Sequence, residues 1–113
     1  MKVTMTHNPT CGTSRNVLAL LRQRGIEPQI IEYLKTPLSR GEIAALVKQM
    51  GVKVRDVVRK KEALYSELKL EKADDDTLLE AMVTHPILLN RPIVTTPKGT
   101  KLCRPSESVA EIL

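Results

Sequence analysis

Cys11 stands in the segment His7-Asn8-Pro9-Thr10-Cys11-Gly12-Thr13-Ser14. Its small and polar neighbours suit a reactive position rather than a core one. A cysteine acts as a nucleophile through its thiolate. A helix N-terminus or a nearby cation lowers its pKa from about 8.5 into the range of roughly 3.5–7.5. Such a group can attack a disulfide or an electrophilic oxyanion. Ser14 occupies the place where a Cys-x-x-Cys protein carries its second thiol. It cannot form a disulfide, although its hydroxyl can donate a hydrogen bond to a thiolate. A resolving thiol must come from outside or from Cys103, the other cysteine. His7 has two readings on spacing alone: an imidazolium that favours the thiolate, or a strand-end histidine with an unrelated partner.

The elements around these residues must bring them together. Val3 and Met5 alternate with polar neighbours, as in a strand ending near His7. Asn8 to Gly12 carries turn chemistry. Val17, Leu18, Leu20 and Leu21 then recur at helical spacing, Gly25 suits a left-handed cap, and Pro28 lies beyond. Gln29 to Tyr33 reads as a second strand. This strand–helix–strand unit predicts parallel pairing with a right-handed crossover. Ser39 and Glu42 form a capping box, with Leu38 and Ile43 as a staple. Ile43, Leu46, Val47 and Met50 form one apolar stripe that Gly51 ends. A shorter helix is expected over Lys53 to Lys60 with Val54, Val57 and Val58 inward. Another is expected from about Asp75 to Thr84, stopped by His85-Pro86.

The last third reads as an antiparallel hairpin, with strands at Arg91–Thr95 and Lys101–Arg104 around the turn residues Thr96-Pro97-Lys98-Gly99. Pro105 suits the first turn of a final helix through Val109 and Ile112. The fold class is α/β: β-α-β, a helical insert at about 39–89, then β-β-α. That order resembles the thioredoxin topology, with a mixed sheet. Strand alternation points Cys103 and Arg104 to opposite faces. Free Cys is commonly a core residue, so Cys103 is read as a buried, unreactive thiol, with an internal resolving role as the other possibility.

A chain of 113 residues fits one domain, 1–113. With no Trp or Phe, its core must be aliphatic. The net charge of +5 favours anionic partners. There is no run of five Lys/Arg, and Tyr33 and Tyr65 are the only aromatics, so nucleic acid is not expected. No apolar run is long enough to span a bilayer, and the N-terminus lacks a signal-peptide pattern. Two distant cysteines suit neither a disulfide scaffold nor a local metal clip, and a cytoplasmic protein with reduced thiols is expected.

The segment His7–Asn16 resembles the active-site segment of the glutaredoxin-dependent arsenate reductases, the ArsC family. The resemblance continues through Tyr33-Leu34, Val54–Lys60, His85–Val94 and Gly99–Glu107, nearly the whole chain in order. It implies that Cys11 is the nucleophile, helped by His7 and Ser14, and that Arg59, Arg91 and Arg104 bind the oxyanion. It also implies a cis peptide before Pro92. Arsenate carries up to two negative charges, which repel a thiolate. Guanidinium forks neutralise such oxygens and bind them bidentately. The implied partners are arsenate, glutathione as co-substrate, and glutaredoxin. No bound cofactor or metal is expected, and the protein is expected to be a monomer. Two other readings share the fold: a thiol reductase for another substrate, and an Spx-type regulator that binds RNA polymerase. The second commonly carries the Cys-x-x-Cys that Ser14 removes here.

Overall fold

Short β-favouring runs alternate with amphipathic helical ones along this sequence. The computed structural model, which describes residues 2–113, keeps that order. By its internal contacts the chain divides into two units: residues 1–36 with 91–113, and residues 37–90.

In the first unit, β1 (Thr4–Thr6) leads through α1 (Gly12–Gln23) to β2 (Gln29–Ile31). β1 and β2 pair in parallel with Met5 opposite Ile30, as a helical crossover requires. Gly25, at φ 73°, turns the chain after α1 in the left-handed conformation that glycine adopts without steric cost. β3 (Ile93–Thr96) and β4 (Gly99–Leu102) form the antiparallel hairpin, with only Pro97 and Lys98 between them. β3 pairs antiparallel with β1, which gives the order β2-β1-β3-β4. Val3, Met5, Val17, Leu21, Val94 and Cys103 form the centre of one apolar cluster. Each large aliphatic buried there contributes roughly 1.5–3 kcal/mol.

Several boundaries differ from those expected. β2 ends at Ile31 because Tyr33 bonds back to the Ile31 carbonyl, and Lys35 and Thr36 both bond to Glu32 in a turn. The C-terminal segment Ser106–Ile112 is a 3-10 helix instead of an α-helix. Pro105 stands just before it, and the Ser108 N–H closes a three-residue turn onto the Pro105 carbonyl. The Arg91–Pro92 peptide is cis, as expected. Arg104–Pro105 is also cis, which was not anticipated.

In the second unit, α2 (Arg40–Met50) begins with the full Ser39–Glu42 capping box and ends at Gly51 in the left-handed region. α4 (Asp75–Thr84) starts at Asp74, whose side chain accepts the Thr77 N–H. Arg40 pairs with both Asp76 and Glu80, linking α2 to α4. The helix expected at 53–60 is only a 3-10 turn, Val54–Val57. It stops because Val58 pairs with Leu89 and the Arg59 N–H is taken by the Leu88 carbonyl at 2.7 Å. A short helix, α3 (Ala63–Glu67), and a 3-10 turn at Leu70–Lys72 had no periodic signal. Arg55 holds that segment, donating to the Tyr65 hydroxyl, the Leu70 carbonyl and the Ala73 carbonyl.

Candidate active site

Cys11 is the N-cap of α1, in extended conformation at φ −90° and ψ 120°. The turn before it is built by Asn8. The Asn8 carbonyl accepts the Cys11 N–H at 3.0 Å, and its side-chain oxygen accepts from the Thr10 N–H and hydroxyl at 3.0 and 2.8 Å. Such Asx geometry lets a short polar side chain replace backbone partners in a tight turn. Asn8 is buried. It was not singled out in the sequence, although Asn-Pro is a turn signal that could have marked it.

The Ser14 backbone amide in the first turn of α1 faces the Cys11 sulfur, and Arg91 and Arg104, which flank the β3–β4 hairpin on either side, approach it with their side chains. Arg104 Nη1 lies 3.8 Å from Sγ and donates to the Arg91 carbonyl at 2.8 Å. Arg91 is itself 5% exposed. The thiol pKa reflects opposing causes. Partial burial, the largest, pushes it up. The Ser14 backbone amide, hydrogen bonding from Arg104 and Arg91, and the Arg91 charge together outweigh that and bring it down to about 7. About half of Cys11 is then thiolate at pH 7, against about 1% at a pKa of 9.

His7 and Ser14 lie beside this thiol in a different arrangement from the one expected. His7 Nδ1 and Ser14 Oγ are 2.6 Å apart, and Ser14 Oγ also accepts the Asn8 N–H at 3.1 Å. The Ser14 hydroxyl is thus engaged with His7 and Asn8, and the residue acts on Cys11 through its backbone amide. Burial, the largest cause, lowers the His7 pKa; Glu32 opposes this, and Arg22 and Arg15 add to it. His7 is therefore a neutral imidazole at neutral pH. The charge that favours the thiolate comes from arginine, not imidazolium.

The first unit thus brings Cys11, His7, Ser14, Arg91 and Arg104 together. Arg59 belongs to the second unit, where its Nε lies 3.3 Å from a Glu62 carboxylate oxygen. Cys103 is fully buried in the apolar cluster. Its Sγ lies 3.5 Å from the Lys101 carbonyl, and burial, the largest cause, pushes the thiol up to about 11. β4 ends at Leu102, short of the strand expected through Arg104, because the Arg104 N–H bonds back to the Leu102 carbonyl; from this bend, not from strand alternation, Arg104 reaches Cys11.

Fold and thiol together define a class: thioredoxin-like proteins with one cysteine of lowered pKa at the head of the first helix. The chain belongs to the ArsC family, whose sequence model matches residues 6–112. An arsenate reductase of Escherichia coli (strain K12) is 55% identical over 113 residues, covering 98% of this chain and 80% of the relative. One of Rhizobium meliloti (strain 1021) is 53% identical over 115 residues, covering 100% and 82%. The solved structure of an arsenate reductase from Vibrio cholerae superposes with a TM-score of 0.95 at 46% identity, covering 100% of this chain and 98% of that one. Among the described residues, no helix is long and apolar enough to cross a membrane.

Proposed function

We propose that this protein is a cytoplasmic arsenate reductase in which Cys11 forms a covalent adduct with arsenic. The observation that carries the reading is a thiol held near pKa 7 with the Arg104 guanidinium 3.8 Å from its sulfur. The same cations that stabilise a thiolate neutralise an incoming dianion. Each charge-assisted hydrogen bond contributes about 1.5–3 kcal/mol. Arg91 and Arg104 are the anion ligands of this unit. Arg59 is assigned to the same anion by its place in the family pattern alone.

In this reading the Cys11 thiolate attacks arsenic(V); an As–S bond forms, and one oxygen leaves as water after protonation. Glutathione displaces a second oxygen, leaving arsenic with two sulfur ligands. A glutaredoxin thiolate then attacks the glutathione sulfur. The new S–S bond forms as the S–As bond breaks, and its electron pair stays on arsenic, which becomes arsenic(III). Hydrolysis of the remaining As–S bond releases arsenite and restores Cys11. His7 and Ser14 position the loop that carries the thiol.

The test is arsenite production from arsenate with glutathione and glutaredoxin, comparing the native protein with Cys11→Ser. Turnover that vanishes in the variant supports the reading. An inactive native protein whose Cys11 still alkylates rapidly at pH 7 would overturn it in favour of a thiol acting on another oxidised substrate.

A further inference from the structure

Residues 15, 18, 19, 22 and 23 of α1 fall at i, i+3, i+4, i+7 and i+8, a single helical stripe. They line one shallow groove of about 650 Å³, headed by His7 and Pro9 of the Cys11 loop. Ala19 leaves the middle of this groove open, and Arg15 and Arg22 give it positive charge. The two arginines are not equivalent. Arg22 is committed to Glu27 through two hydrogen bonds, at 2.9 and 3.0 Å. Arg15 has no carboxylate within ion-pair distance among the described residues. Its guanidinium folds back toward the loop. Nη1 donates to the Pro9 carbonyl at 3.0 Å, and Nη2 lies 3.8 Å from where a Cβ on Gly12 would stand. The group therefore sits over the two residues that bracket Thr10 and Cys11, with most of its five N–H donors still available.

The chain also lacks an accessible second thiol of its own. Ser14 stands in the usual place, and Cys103 is fully buried in the apolar cluster. The thiol that reduces the Cys11 adduct must arrive from solution, with its sulfur directed at Cys11.

We propose that the α1 groove docks this thiol co-substrate, a small carboxylate-bearing peptide thiol of the glutathione class, and that Arg15 binds the carboxylate nearest its sulfur. The proposal rests on the reading of Cys11 as a nucleophile resolved by an external thiol. The dimensions agree. Residue 15 lies one helical turn beyond Cys11, a backbone rise of about 6 Å, and its guanidinium folds back toward Gly12, the neighbour of Cys11. A carboxylate one residue beyond a peptide cysteine lies within about 7 Å of its sulfur at full extension. A guanidinium fork suits a carboxylate bidentately, whereas an uncharged thiol gains nothing from it.

The decisive experiment titrates the native protein with S-methylglutathione, which cannot react, and follows backbone amide shifts. Saturable shifts concentrated on residues 15–23, with at least tenfold weaker binding of the diethyl ester, support the groove. Shifts confined to β3 and β4, no shifts, or equal binding of acid and ester overturn it. Kinetics give a second readout. Arg15→Gln should lower kcat/KM for glutathione at least tenfold and that for 2-mercaptoethanol less than threefold, with Arg15→Lys intermediate. Equal losses with both thiols would place Arg15 on arsenate or Cys11 and overturn the proposal. The titration does not depend on turnover, so a native protein that fails to reduce arsenate ends the proposed function while the groove is still decided.

Discussion

Replacing Arg104 by Ala removes one of the three groups whose hydrogen bonding lowers the Cys11 pKa; the Ser14 amide and Arg91 remain. The contact is long, at 3.8 Å to sulfur, so its worth lies at the lower end for a charged donor. One pKa unit corresponds to about 1.4 kcal/mol. Two unit charges 4 Å apart interact by about 1 kcal/mol in water and about 4 kcal/mol near a protein surface. A rise of about one unit follows, from about 7 to about 8. At pH 7 the thiolate fraction then falls from about one half to about one tenth, and alkylation by iodoacetamide slows about fivefold. The assay is the pH dependence of that rate, with peptide mapping to confirm that only Cys11 reacts. Cys103, buried and near 11, stays silent across this range. Arg104→Lys keeps the charge but loses the fork, so its midpoint should lie between the other two. A midpoint still at about 7 in a folded Arg104→Ala protein would refute the assignment of thiolate stabilisation to this guanidinium.

Two further outcomes follow from the loop. Ser14→Ala leaves the Asn8 N–H and His7 Nδ1 without their shared hydroxyl, which should cost about 1–3 kcal/mol in denaturant unfolding. It should move the Cys11 midpoint less than Arg104→Ala does, because the Ser14 amide remains; an equal shift would show that the hydroxyl acts on the thiolate directly. His7 has a folded pKa below its ordinary value, with burial as the main cause. As pH falls through about 6.5 the unfolded chain binds a proton that the folded state refuses, so stability declines until the folded pKa is reached. His7→Gln should flatten the decline between pH 7.5 and 5, and identical slopes in the two proteins would contradict the buried neutral imidazole.

Much of the fold was legible because local signals agreed with one another. The Ser39–Glu42 box, the Gly51 stop and the acidic start of α4 each marked a helix boundary that the structure keeps. The failures share a cause. The turn at Val54–Val57 is cut short by Leu88 and Leu89, about thirty residues further along the chain, and no local pattern can announce such a partner. α3 and the turn after it are held by Arg55, whose side-chain bonds leave no apolar period to read. In the site, Cys11 was legible because a polar turn led into an amphipathic helix. The direction of the Ser14 hydroxyl was not, since His7 and Asn8 reach it across the strand–helix corner. Arg91 and Arg104 were legible only through family resemblance, because spacing in sequence does not bring them to Cys11.

The Arg104–Cys11 contact spans 93 positions of sequence, and this has a consequence for biosynthesis. A chain leaves the ribosome N-terminus first, so Cys11 emerges long before either Arg91 or Arg104 has been joined to it. Until β3 pairs with β1 and β4 with β3, the thiol lacks both guanidinium groups and has at most the Ser14 amide to lower its pKa. Folding thus acts as the activation step. The thiol reaches its lowered pKa only when the segments carrying Arg91 and Arg104 have joined the one that carries Cys11.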